Sequence, residues 1–169
     1  FNGVWLNSNI TNLDGTTSYF ISEKNGIRIG WIGLCTADTP SLSNPDEKLR
    51  FNNVITSAEK YVKILKPSVD IIVALTHQTI DDDNILAEKV PDLNIILGGH
   101  EHFPYFKMSN NTMIIKSGID CEFVSTITIK KDRENISYSA VLNDIVNYQS
   151  NEIIDNNIKK YNKTMEIFN

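Results

Sequence analysis

Two stretches of the chain are apolar almost throughout, Val69 to Thr76 and Leu93 to Leu97. Runs of that kind suit parallel strands buried on both faces. Between them the rhythm changes. Asp81-Asp82-Asp83 starts a short helix over 82–90, with acidic side chains suited to free amide groups and to the positive end of the dipole, and Pro91 closes it. The three segments predict a compact βαβ unit, which places functional groups at the carboxyl ends of its strands.

Upstream, Val54, Ile55, Ala58, Tyr61, Val62 and Leu65 recur at spacings of three and four, the pattern of an amphipathic helix, and Pro67 ends it. Tyr19 to Ser22 and Ile27 to Leu34 predict a hairpin whose Asn25-Gly26 pair accepts positive φ. Val4 to Ile10 reads as a short strand, and Thr36 to Asp46 as a polar loop. Downstream the character is antiparallel, with strands over 112–118, 123–130 and 136–143 and a turn at Asp132 to Asn135. Ile154, Ile158, Tyr161, Met165 and Phe168 mark one face of a helix from about 151 to 168.

The histidines follow the same strand ends. The chain has 3, and all of them come just after the apolar runs: His77 after the first, His100 and His102 after the second, within Gly98-Gly99-His100-Glu101-His102. Neutral imidazole is the commonest protein ligand for zinc and similar metals. The two glycines permit a sharp backbone turn and keep bulk away. These residues point to a metal site, either one zinc held by three histidines or a pair of metals about 3.5–4 Å apart that holds a phosphoryl group.

Composition narrows the reading further. Apolar content of 41%, charged content of 22% and 169 residues suit one folded unit with a real core. A net charge of -5 gives no basic footprint for nucleic acid. No run reaches the ~20 apolar residues that span a bilayer. Cys35 and Cys121 match no metal or redox spacing and read as small buried residues, with a disulfide between them left open. Asn9, Asn110, Asn135 and Asn162 head Asn-x-Ser/Thr triplets, which an Asn-rich chain produces by chance.

Leu93 to Leu97 followed by Gly98-Gly99-His100-Glu101-His102 resembles the GGHxH block of calcineurin-like metallophosphoesterases, and Asp70 to His77 resembles the histidine block before it. Trp5 to Ile10, Gly26 to Leu34 and Met113 to Gly118 are similar to segments of the 5'-nucleotidase-like branch, in order, over about residues 5–130. His102 stands where many 5'-nucleotidases carry Gln, so it follows the broader phosphoesterase pattern.

The resemblance implies the second half of a four-layer α/β/β/α sandwich with mixed sheets. Residues 1–150 would be the C-terminal half of the catalytic domain, and 151–169 the start of a helical linker to a further domain. It implies a phosphoric ester hydrolase with two divalent ions (zinc, manganese or iron), in which metal-bound hydroxide attacks phosphorus. His77 and His100 would bind one ion and His102 the other. The substrate would be a phosphate-ester small molecule: a nucleoside monophosphate, a cyclic nucleotide or a sugar-nucleotide diphosphate. The family's Asp-x-His, Gly-Asp and Gly-Asn-His blocks do not occur in this chain, so the resemblance implies an N-terminal half outside it and an inactive stretch on its own. The competing expectation is a non-catalytic metal-binding or interaction module that retains the fold.

Overall fold

The structure, a computed structural model, describes residues 2–133 and 135–165. Its centre is a mixed six-stranded sheet in the order β2-β3-β5-β6-β8-β7. The strands are β2 (Phe20–Lys24), β3 (Ile27–Cys35), β5 (Ile71–His77), β6 (Ile95–Gly98), β7 (Pro104–Ser109) and β8 (Thr112–Ser117). β3, β5, β6 and β8 run parallel, and the outer strands β2 and β7 pair antiparallel to them. Two residues of β1 (Ile10–Thr11) pair with β4 (Arg50–Phe51) apart from this sheet.

Alternation along β5 decides what covers each face. Ile72 and Ala74 point to one side, where α2 (Val54–Leu65) and α3 (Ile80–Lys89) bury Ala58, Val62, Leu65, Leu86 and Ala87 against them. Ile71 and Val73 point to the other, where Ile95, Met113 and Ile115 meet Ile127, Ile129, Ile136 and Tyr138. Those last four belong to a hairpin of β9 (Phe123–Asp132) and β10 (Asn135–Asp144). Helices, a mixed sheet and a second small sheet are thus three layers of the four expected, and the fold class is the mixed α/β one read from the sequence.

Capping follows the side chains available. Asn53 accepts from the Thr56 amide at the start of α2, and Thr79 from the Asp82 amide at the start of α3. The turn of the β2–β3 hairpin has Asn25 at φ 53° and Gly26 at φ 74°, as the Asn-Gly pair predicts. α4 (Glu152–Met165) realises the last helical pattern, while Phe168 lies outside the described residues.

Several expectations change. β8 pairs parallel with β6, so the downstream part is not uniformly antiparallel. β7 was not foreseen at all. The loop after β3 contains the short helix α1 (Thr39–Leu42) as well as β4. Residues 5–9 do not form a strand. They cross β3 instead: the Ser8 amide donates to the Gly33 carbonyl, and Gly33 returns a bond to Ser8 Oγ. Both cysteines are free thiols, and Cys121 is exposed rather than buried. Asn9 is buried, its amide donating to the carbonyls of Cys35 and Asn52, which leaves no room for a glycan. No helix among the described residues is long and apolar enough to cross a membrane.

Candidate metal centre

Parallel pairing brings the two histidine segments together. Thr76 is in register with Gly98, so β5 and β6 end side by side. The Gly99 amide donates to the Thr76 carbonyl (2.9 Å), which carries this pairing one residue past β6. His77 and His100 then meet edge to face, with ring centres 5.3 Å apart and planes at 90°. His77 is exposed and His100 half-buried.

Both glycines of the motif are needed for close approach. A Cβ on Gly98 would stand 2.8 Å from Asp83 Oδ2 and 3.0 Å from Lys116 Cε. One on Gly99 would stand 3.1 Å from His77 Nδ1. His100 itself takes φ 83°, in the left-handed region that non-glycine residues enter at a cost. Strain of this kind concentrates at functional sites.

Beneath the histidines lies a charge cluster that the sequence reading missed. Lys116 of β8 is fully buried. Its ammonium pairs with Asp83 Oδ2 (2.9 Å) and Glu101 Oε2 (2.6 Å) and donates to the carbonyls of Gln78 (2.6 Å) and Gly99 (2.7 Å). Glu101 also accepts from the Ile80 amide (2.7 Å), and Gln78 Nε2 donates to Asp83 Oδ1 (2.9 Å). Burial pushes the Asp83 carboxyl above the ordinary carboxylate range, outweighing Lys116, Thr76 and Gln78. Burial acts on Glu101 too, but Lys116 and the Ile80 amide overcome it and hold that carboxyl below its usual value. Asp83 is therefore more than the helix-start charge its sequence position suggests: it is an ion-pair partner. The available signal was Lys116 itself, a lysine that directly follows the apolar run Met113-Ile114-Ile115 within one strand.

The imidazole pair fits a divalent transition metal in chemistry and in spacing. Two imidazoles bound at ~2.0–2.1 Å to one tetrahedral ion have ring centres roughly 5 Å apart. The pair is not a complete site. Among the described residues, no three His, Cys, Asp or Glu side chains converge to hold a metal. His102, the last residue of the motif, is exposed and joins no such group. Beside His77 runs a groove of about 510 Å³, lined by Trp5, Leu6, Gly33, Leu75 and Thr76, with Trp5 65% exposed. Another surface concavity, about 540 Å³ around Lys63, Lys66 and Lys89, precedes the starts of β5 and β6 and contains no imidazole.

The site is thus a mixed α/β sheet with paired histidines just past neighbouring parallel strands, and comparison with known proteins shows what the chain is similar to. It matches part of a 5'-nucleotidase-like metallophosphoesterase: its sequence relatives are 5'-nucleotidases and nucleotide phosphoesterases. The trifunctional nucleotide phosphoesterase protein YfkN of Bacillus subtilis (strain 168) is 30% identical over 129 residues, covering 72% of this chain and 9% of that protein. A 5'-nucleotidase of Diplobatis ommata is 34% identical over 83 residues, 48% of this chain and 14% of that protein. The chain thus spans a small share of each relative. No protein-family model matches it. In fold, the crystal structure of a putative 5'-nucleotidase from Staphylococcus aureus superposes with a TM-score of 0.83 at 21% identity, over 96% of this chain and 37% of that one.

Proposed function

We propose that this chain supplies one wall of the metal centre of a phosphoric ester hydrolase acting on nucleotide-like substrates. The observation that carries the reading is the edge-to-face meeting of His77 and His100 at the adjoining ends of β5 and β6. The relatives, nucleotide phosphoesterases and 5'-nucleotidases by name, supply the substrate class.

His77 and His100 would hold one divalent ion, and His102 would serve a second from its exposed position one residue beyond Glu101. When bound, such ions polarise phosphoryl oxygens and acidify water. The protein's part is to present two imidazoles at fixed separation, with His100 carried on a left-handed backbone and Gly99 leaving room for the His77 ring. Since no third ligand converges on the pair among the described residues, the bridging carboxylate and remaining donors would come from chain outside this stretch. The apolar groove beside His77 is a surface on which such a segment can pack. In the same reading residues 1–150 are the C-terminal half of a catalytic domain, and α4 begins a connection to a further one.

The test is a phosphatase assay on the full-length protein that carries this chain, with Mn²⁺ or Zn²⁺ and a panel of nucleoside monophosphates, cyclic nucleotides and sugar nucleotides. His77→Ala and His100→Ala should each lower kcat/KM by about 100-fold or more, in line with the loss of metal-assisted stabilisation. Turnover undiminished in both variants would reject the assignment, and a folded full-length protein that binds no metal would favour the non-catalytic module. The 169-residue stretch alone should show no phosphatase activity above its own His100→Ala control.

A further inference from the structure

Lys116 occupies a place that stability alone does not explain. Burying an ammonium and two carboxylates costs several kcal/mol per ion before pairing, and apolar replacements of such groups are often neutral or stabilising. What the cluster does provide is fixed geometry. Its four acceptors come from three separate segments, and three of the four lie next to a histidine in the chain. Gln78 follows His77 directly. Gly99 and Glu101 flank His100 on either side. Asp83, on α3, also receives the Gln78 side chain. One ammonium, with three protons to share, thus holds the backbone after His77 and the backbone on both sides of His100 at a common point. That point is reached from β8, a strand that carries no histidine.

We propose that Lys116 is a positioning residue for the His77–His100 pair, setting the separation at which the two imidazoles receive a divalent ion. The proposal rests on the reading of that pair as metal ligands. Lys116 touches neither ring and takes no part in the chemistry. It acts through the carbonyls of Gln78 and Gly99 and the carboxylate of Glu101, as outer-shell partners of metal ligands do.

The test uses the full-length protein, stripped of metal and titrated with Zn²⁺ by calorimetry, with a thermal melt of each sample. Lys116→Met removes the ammonium but strands two carboxylates and can unfold the protein. The triple variant Lys116→Met, Asp83→Asn, Glu101→Gln leaves no unpaired charge and guards against that. Ile114→Val, a core truncation in the same strand, reports a loss of stability alone. The expected result is a folded triple variant that binds Zn²⁺ about 10–100-fold more weakly than wild type, while Ile114→Val lowers Tm and keeps wild-type affinity.

A folded Lys116 variant that binds within twofold of wild type overturns the proposal and leaves the metal site standing. If His100→Ala also binds like wild type, the reading of the pair fails, and the positioning role with it. A further check needs no variant. In metal-free wild type the amides of Gly99 and Ile80 should exchange slowly, and exchange at the rate of an open loop would show that the cluster does not hold these segments.

Discussion

Gly99 is pressed against His77, with a hypothetical Cβ only 3.1 Å from the ring nitrogen Nδ1. The glycine pair before His100 therefore has two different duties. Gly98 faces the charge cluster, where its Cβ would meet Asp83 Oδ2 at 2.8 Å, and Gly99 faces the imidazole. Gly98→Ala should cost about 1–3 kcal/mol of stability by overpacking, measured by urea unfolding. Gly99→Ala should cost less stability but weaken Zn²⁺ binding, because the ring it displaces is a proposed ligand. Equal effects of the two substitutions on both readouts would contradict this division.

His100 offers a case in which the site and the fold want different residues. Its φ of 83° suits glycine better than histidine. His100→Gly should leave the metal-free protein at least as stable as wild type, gaining up to about 1 kcal/mol from relieved strain. The same variant should lose metal binding. A clear drop in the urea midpoint would show that the His100 ring supports the fold more than the backbone opposes it.

Two glycines of β3 should respond unequally to alanine. At Gly33 the new Cβ would stand 2.7 Å from the Leu6 carbonyl oxygen, a backbone atom held by its neighbours' bonds to this strand. At Gly30 it would meet only side chains, Leu65 Cδ1 at 3.1 Å and Val69 Cγ2 at 3.3 Å. Gly33→Ala should therefore be the more damaging by about 1 kcal/mol or more, within the usual cost of overpacking. It should also loosen residues 5–9, visible as faster amide exchange at Asn7 and Ser8.

The hairpin layer carries a pH-dependent tie to the sheet. Asp70 accepts from the Arg28 amide (2.7 Å) and pairs with Lys131 of β9 (2.8 Å), and these contacts hold its carboxyl below the ordinary value of 3.8. A carboxylate with a depressed folded-state pKa contributes stability above its unfolded value and loses it as pH falls through the folded one. Asp70→Asn should thus be less stable than wild type at neutral pH, by about 0.2–1 kcal/mol for a partly exposed pair. The difference should begin to shrink as pH falls below about 3.8 and close only once pH passes beneath the lower folded-state value. Thermal melts at pH 7 and pH 3 check this, and a gap that stays the same at both would show that the charge is not its source.

The legible parts of the chain were those where one physical signal dominates. The uninterrupted apolar run before His77 gives a parallel central strand, and the spacing of Val54 to Leu65 gives α2, because burial on two faces or one stripe leaves a pattern in the residues themselves. β7 left none. Pro104-Tyr105-Phe106-Lys107-Met108-Ser109 is an edge strand with both faces partly open, so its burial does not alternate. Residues 5–9 misled for the opposite reason: they look strand-like, but their polar side chains and amides bond to β3 and Thr17 in place of a ladder. At the site, the meeting of His77 and His100 follows from the βαβ unit. The role of Lys116 does not, because its partners lie 15 to 38 positions away and only the folded sheet brings them to one ammonium.

The strand order has a kinetic side. β9 and β10 are sequence neighbours and can pair early, whereas β3, β5, β6 and β8 meet only after helices and loops have crossed between them. Contacts distant along the chain must be closed before they stabilise anything, and they form slowly. The two imidazoles come within reach of each other only when β5 and β6 have docked. Their encounter is therefore a late event, and a molecule stalled with only its hairpins formed has histidines but no binding pair. Metal uptake followed in time during refolding would report completion of the sheet.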